Sequence, residues 1–415
     1  MLERIRWPHA WAAAAALWVI VWLGFFLWAR HNPSVNWLRE LPAFDRGEEF
    51  AGPSAEGQIT KDLAVCLALL MALNTAGFFL LQFRSRLRRL KLGQRTQSFV
   101  AATPIFFALA YCEIFNNPQH LWYDIPTMMS RPASVPIFGQ RLLFVWPAML
   151  LKHLVPKLTY FQAFVALQLV ALALAIYLIG EWSEIFIGRP LSFLGQLMLG
   201  VMLLPTFGYI NGHDFGVVAS YTLCFLLLYK RRYWFYGMVF CIGMLNHQNI
   251  LLLIPTAFNI MWRREKRQCV AWVAALTIVA YFSIRYLLNY AIPIPQTHDY
   301  KIWFNIHALG EASQNLAFGQ LVLISWCTVA AMAWSKADAF LKRASILLPL
   351  QYGVYFLYGQ LDEVRLFNGL LPVIIGMCLC YVRCHLQPGE SVPDSGCREA
   401  AGSRAFGPFH DARSG

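Results

Sequence analysis

The apolar positions of this chain fall in long blocks, not in strand-like alternation. Runs of about 18 to 21 residues, the length a helix needs to cross a ~30 Å hydrocarbon core, lie near 10–29, 62–83, 98–115, 160–180, 191–210, 269–288 and 318–335. Shorter runs lie near 215–229, 345–360 and 369–383. Blocks of this kind exclude an outer-membrane barrel, whose strands alternate apolar and polar residues. The pattern predicts an all-α, polytopic transmembrane helical bundle of about 10–12 membrane segments. No cleavage site of small residues follows the first run, so it is expected as a retained span and not a signal peptide.

The stretch from Tyr233 to Trp262 is too long for one ordinary span and too short for two. Basic residues resolve it. Arg84, Arg86, Arg88, Arg89, Lys91 and Arg95 form one acid-free run, Lys230-Arg231-Arg232 a second, and Arg263, Arg264, Lys266 and Arg267 a third. All three are expected on the cytoplasmic side. The chain between the second and third must then enter the membrane and return, with Asn246-His247-Gln248-Asn249 at the tip. Arms of about 13 residues reach roughly 20 Å, short of the hydrocarbon core. Such a re-entrant tip needs protein or a water-filled cavity around it.

These anchors set the remaining topology. Both termini are expected to be cytoplasmic, with 30–61, 114–159, 211–214, 289–317 and 361–368 outside. Within the second outer loop, residues 142–154 are apolar but carry Pro147 and Lys152, which reads as an interfacial helix. The chain divides into residues 1–96, two additional amino-terminal transmembrane helices with an acidic outer loop and a basic inner one; residues 97–384, the main transmembrane domain; and residues 385–415, a disordered cytoplasmic tail rich in Gly, Pro and Ser. No fixed-period repeat or inverted-half symmetry is visible.

Composition agrees with a membrane solvent. Hydrophobic residues make up 58% of the chain and charged residues 13%, with a mean hydropathy of +0.48. A soluble domain carries about 25% charged residues. The net charge of +12 would suggest nucleic acid in a soluble protein, but here the basic residues sit between apolar blocks and report topology. The ten cysteines form no CxxC pair and mostly lie inside apolar runs, where a cysteine acts as a small hydrophobe.

The polar groups able to carry chemistry gather on the outer side. They are Trp122, Tyr123, Asp124, Arg131 and Arg141 in the second outer loop, His213-Asp214 between two spans, Asn246 and His247 at the tip, and Glu363 and Arg365 between the last two spans. A carboxylate such as Asp124 could deprotonate an acceptor hydroxyl. Guanidinium groups such as Arg131, Arg141 and Arg365 hold a lipid phosphate bidentately and offset leaving-group charge. Trp122 and Tyr123 offer faces for a sugar ring. Each group also has a plainer role open to it: Asp124 before Ile125-Pro126 as a turn starter, Asp214 as a helix cap, His247 as part of a hairpin turn, and Arg365 as the local ion-pair partner of Asp362 or Glu363. No Walker loop and no helix-opening GxGxxG occurs.

The layout resembles the GT-C superfamily of polyprenyl-phosphate-sugar-dependent glycosyltransferases over roughly residues 97–384. The matching stretch is Ile242-Gly243-Met244-Leu245-Asn246-His247-Gln248-Asn249-Ile250-Leu251-Leu252-Leu253-Ile254-Pro255, a short helix pair broken before a Leu-rich run that ends in Pro. His213-Asp214 and Lys230-Arg231-Arg232 fall where that family places such groups, and Asp362-Glu363-Val364-Arg365-Leu366-Phe367, followed by Leu371-Pro372, looks like the closing segment of related membrane proteins. Two departures stand out: Asp124 is alone where the family commonly has paired acids, and His247 stands where a Lys or Arg is usual. The resemblance implies transfer of a sugar from a lipid-phosphate donor to an envelope glycan or lipid acceptor at the outer face of the inner membrane. It gives Asp124 as the catalytic carboxylate, Arg131, Arg141 and Arg365 as donor-phosphate ligands, and Trp122, Tyr123, His213, Asp214, Asn246, His247 and Glu363 as substrate contacts. The expected partners are membrane lipids, the lipid-linked donor and the acceptor, with no nucleic acid. No cofactor is called for, and nothing in the sequence supports a divalent metal. The alternatives are a lipid-linked polysaccharide polymerase or ligase, and a non-enzymatic transporter or membrane scaffold.

Overall fold

The structure is a computed structural model that describes Thr103, Ile105, Phe106, Leu109 and Ala110 and residues 142–158, 160–188, 191–203, 214–291, 301–310, 317–359 and 364–386. Its order is α1 (Leu142–Leu154), α2 (Tyr160–Ile187), α3 (Phe193–Leu203), α4 (Asp214–Tyr229), α5 (Tyr233–Met244), a 3₁₀ segment (Gln248–Leu252), α6 (Leu253–Met261), α7 (Arg267–Ala291), α8 (Ile302–Gly310), α9 (Ala317–Met332), a 3₁₀ turn (Trp334–Lys336), α10 (Ala339–Ala344), α11 (Leu347–Tyr358), a second 3₁₀ segment (Val364–Leu370) and α12 (Leu371–Leu386). The described residues contain helices and turns and no strand. The predicted amino-terminal spans and the tail beyond Leu386 lie outside the described residues.

Among the described residues, three stretches are long and apolar enough to cross a membrane: Gln162–Ile187, Arg267–Ala291 and Leu366–Cys384. They differ in position. The most apolar window of Leu366–Cys384 is 78% buried within the protein and that of Gln162–Ile187 61%, whereas that of Arg267–Ala291 is only 11% buried. α12 and α2 are therefore the centre of the bundle, and α7 runs along its outside. The expected span at 191–210 is described only as the 11-residue α3, with 204–213 outside the described residues. The expected outer connection 289–317 contains a helix, α8, whose nine residues are too few for a span-length search to register.

The core at one end is aromatic. Trp182 on α2 is fully buried, and its rings meet Phe186, Phe225, Tyr229 and Phe340 at 4.9, 6.0, 6.4 and 5.9 Å between centroids. Edge-to-face and offset pairs of this kind add about 0.5–1.5 kcal/mol beyond their buried area. The indole N–H donates to the Pro372 carbonyl at 2.7 Å, so the polar edge of the ring is satisfied. This cluster ties α2, α4, α10 and α12 together. At α3 the backbones approach closely, since a Cβ at Gly195 would run into Ser183 of α2.

The Tyr233–Trp262 stretch does turn back on itself. The Tyr233 hydroxyl donates to Glu265 Oε1 at 2.6 Å, and Arg231 Nε lies 3.4 Å from the same oxygen, so the start of α5 and the end of α6 share one end of the bundle. Midway up the hairpin the Tyr236 hydroxyl donates to the Leu253 carbonyl at 3.2 Å. The 12 residues of α5 span about 18 Å. The five-residue 3₁₀ segment and nine-residue α6 together span about 24 Å. Neither arm matches a ~30 Å core. Gly243 is required at the bend: a Cβ there would collide with Ile250 of the returning arm.

Candidate functional site

The hairpin tip is fastened on several sides. The Leu143 N–H, in the first turn of α1, donates to the Leu245 carbonyl at 3.1 Å. A Cβ at Gly216 of α4 would lie 2.7 Å from the Phe144 ring and 2.8 Å from Asn246 Nδ2, so glycine there lets α1 and the tip close over the start of α4. His247 caps the 3₁₀ segment, its Nδ1 accepting from the Asn249 N–H at 3.2 Å. A neutral imidazole that accepts at Nδ1 carries its proton on Nε2. The cap and the tautomer are thus one feature.

Beneath the tip is a cavity lined by Asp214, Val217, Tyr221, His247, Asn249, Gln351, Tyr355 and Leu366. Helical spacing explains the set. Asp214, Val217 and Tyr221 sit at i, i+3 and i+7 of α4, and Gln351 and Tyr355 at i and i+4 of α11, so each group faces one way. The cavity measures about 10 Å³, the room that about one water molecule needs.

The wall is polar and only partly satisfied by protein. The Tyr221 ring lies against Gly369, and its hydroxyl donates to the Asn249 carbonyl at 2.6 Å. Gln351 donates through Nε2 to the Leu366 carbonyl. Among the described residues its Oε1 has no hydrogen-bond partner, and the residue is only 1% exposed. An orphaned buried acceptor of this kind costs about 1–3 kcal/mol, which is tolerable where a ligand or water completes it. Asp214 is 5% exposed, so a carboxylate and an imidazole share a site largely withdrawn from bulk solvent. Such a pair can accept a proton from a hydroxyl and donate one to an oxygen.

Behind the cavity, Asn305 of α8 donates through Nδ2 to the carbonyls of Tyr355, Phe356 and Gly359, at 3.2, 2.8 and 2.9 Å. The Phe356 carbonyl belongs to the last turn of α11 and Gly359 is its C-cap, while the Tyr355 carbonyl also accepts from the Gly359 N–H at 3.0 Å. Asn305 therefore holds the α11 terminus, and with it the height of Gln351 and Tyr355.

Of the residues singled out in sequence, Asp214 and His247 meet at this cavity. Asp214 opens α4 as its first residue. Asn246 is fully buried beside Gly216, next to the cavity wall and not on it. Arg365 lies in the second 3₁₀ segment, adjacent to the lining residue Leu366. Trp122, Tyr123, Asp124, Arg131, Arg141, His213 and Glu363 lie outside the described residues. Sequence reasoning missed Tyr221, Gln351 and Tyr355 and did not separate Asn249 from the tip as a wall residue. The signal available was Gln351, an amide inside the apolar run Leu347–Tyr358.

Among the described residues no group of three or more His, Cys, Asp or Glu side chains is placed to hold a metal ion. No protein-family model matches the chain, and no curated protein and no solved structure matches it.

Proposed function

We propose that the chain is a multi-pass membrane protein that moves a sugar from a polyprenyl-phosphate-linked donor to a cell-envelope acceptor on the outer face. The observation that carries this reading is the meeting of Asp214 and His247 on one cavity at the tip of the short hairpin. Asp214 takes the proton of the acceptor hydroxyl as that oxygen attacks the anomeric carbon. The bond from that carbon to the phosphate oxygen breaks, and the lipid phosphate leaves with the bonding electrons. His247, with its proton on Nε2, donates to the phosphate oxygen as charge builds on it. Asp124 is the alternative base, and the arginines at 131, 141 and 365 are the proposed phosphate ligands.

The orientation is supported by the hairpin. Both of its ends carry basic turns, so both belong on the cytoplasmic side, and its tip reaches toward the outer side without crossing. The exposed aromatic side chains agree with a bilayer. Trp234, Trp262 and Trp334 stand out from the basic end, while Trp146, Tyr290, Trp303 and Tyr358 stand out elsewhere, as expected of interfacial belts.

A second reading is favoured by one observation. Two helices lose their α geometry beside the cavity, at Gln248–Leu252 and at Val364–Leu370. Broken helices meeting at a polar site are a feature of transporters, so translocation of a small polar solute is the alternative.

The two readings separate in one preparation. Purified full-length protein is supplied with a polyprenyl-phosphate hexose and an envelope-lipid acceptor, and release of free polyprenyl phosphate is followed. Transferase predicts release that requires both substrates and falls in Asp214→Asn. Transport predicts no release, with flux into sealed vesicles instead.

A further inference from the structure

Among the described residues, Arg264 and Arg343 at the basic end of the bundle have no carboxylate within ion-pair distance. Arg264 is packed between two rings, with its guanidinium carbon 5.8 Å from the Tyr229 centroid and 5.7 Å from that of Phe340. Among the described residues no carboxylate pairs with it, and its Nη1 is buried with no acceptor. Packing, not pairing, therefore fixes this charge in place.

Arg343 of α10 is its neighbour. Loss of solvent, and then the charges of Arg264 and Arg263, hold the Arg343 guanidinium below its usual pKa, with Asp338 opposing. Among the described residues, the Arg343 guanidinium donates to the Ile260 carbonyl alone, through Nη1 at 3.4 Å. The acids nearby are already engaged. Asp338 accepts from the Phe340 N–H at 2.6 Å, and Glu265 is held by Tyr233 and Arg231.

Exposed rings stand at the same end of α6, where Trp262 precedes Arg264 by two residues. Phe258 and Trp262 are both exposed and pack with centroids 5.0 Å apart, and Arg267 sits 5.6 Å over the Trp262 ring. A soluble anion has no use for such rings, but a lipid places its phosphate at the cations and its glycerol and acyl chains along the aromatics.

We infer that this end of the bundle is a docking site for the phosphate headgroup of an anionic phospholipid, held by Arg264 and Arg343 with Phe258 and Trp262 beside its chains. The inference needs the multi-pass membrane reading but not the transfer reaction.

The test is native mass spectrometry of the full-length protein offered equal amounts of phosphatidylglycerol and phosphatidylcholine. Wild type retains phosphatidylglycerol preferentially. The pair Arg264→Gln with Arg343→Gln lowers that preference about thirtyfold, on the basis of roughly fivefold for each surface-proximal arginine. The pair Arg264→Lys with Arg343→Lys keeps both charges and most of the preference. Lys152→Gln, on α1, leaves it unchanged, and so does Asp214→Asn, which separates this site from the proposed reaction centre. If the glutamine pair does not fold, a salt titration of wild type decides, since the preference must weaken as salt rises. Three results overturn the inference: an unaltered preference in the folded glutamine pair, a preference indifferent to salt, or displacement of the lipid by millimolar inorganic phosphate.

Discussion

The Tyr233 hydroxyl bonds Glu265 across 32 residues of sequence, at 2.6 Å. With the Arg231–Glu265 pair at 3.4 Å, that contact joins the two basic turns at one end of the bundle and makes the intervening helices a closed hairpin. Two arms too short to cross a bilayer follow from it, and so does a tip that must be covered by protein. α1, α4 and α11 supply that cover, and the cavity lies among them.

Removing the contact should loosen the hairpin without unfolding the bundle. Tyr233→Phe loses a hydrogen bond to a carboxylate at a partly buried position, about 1.5–3 kcal/mol. A fall in Tm of a few degrees is expected by fluorescence-detected chromatography. Combining it with Glu265→Ala should cost less than the sum of the two single changes, because both remove the same bond. Strict additivity would show that the contact carries no energy.

The bend has its own signature. Gly243→Ala puts a methyl group where the Ile250 side chain now lies, in a buried position with little room to relax. Ile250→Val removes the obstructing methyl and should recover part of the lost stability in the double variant, although it is destabilising alone. A double variant less stable than both single ones would mean that the arms are not packed as described.

Arg231 is the described non-glycine residue with a left-handed backbone, at φ 55°. It ends α4 in a Schellman arrangement, with the Arg232 N–H donating to the Leu227 carbonyl at 2.8 Å and the Arg231 N–H to Leu228 at 3.2 Å. Glycine adopts this conformation without the steric cost of a Cβ. Arg231→Gly and Arg231→Ala both lose the ion pair to Glu265, so their difference isolates the backbone. Arg231→Gly should be more stable by about 1 kcal/mol, read as the higher Tm.

Hydrophobic length and charge made much of this architecture legible in advance. The helices over 160–187, 214–229, 267–291 and 371–386 follow apolar runs, and the three basic residues at 230–232 and those at 263–267 announce the hairpin. Lengths were harder to read. α2 extends through Glu181 and Glu184 to Ile187, because carboxylates near a span end can reach water without ending the helix. α8 was missed because nine residues produce no span-length signal. Asp214 and His247 were visible as polar groups at apolar borders. Gln351 and Tyr355 were not, since only the packing of α11 beside the tip gives them a common cavity. Arg131, Arg141 and the lone carboxylate Asp124 carry the phosphate and base chemistry of the sequence reading, and they lie outside the described residues.

Membrane orientation can be tested by labelling. In a background without native cysteines, Arg232→Cys and Lys266→Cys should react with an impermeant thiol reagent from the same, cytoplasmic side, because Tyr233 and Glu265 hold their neighbours together. Gly212→Cys should react from outside only. Labelling of Arg232→Cys and Gly212→Cys from one side would contradict the proposed orientation.

The most direct test of the central claim is single-turnover release of polyprenyl phosphate from a polyprenyl-phosphate hexose in wild type, Asp214→Asn, His247→Gln and Asp124→Asn, each checked for folding by its elution and Tm. The account predicts release by wild type and a loss of about 10²- to 10⁴-fold in Asp214→Asn, with a smaller loss in His247→Gln. A folded Asp214→Asn variant that turns over at the wild-type rate would contradict it, as would a wild-type protein that binds the donor and releases nothing.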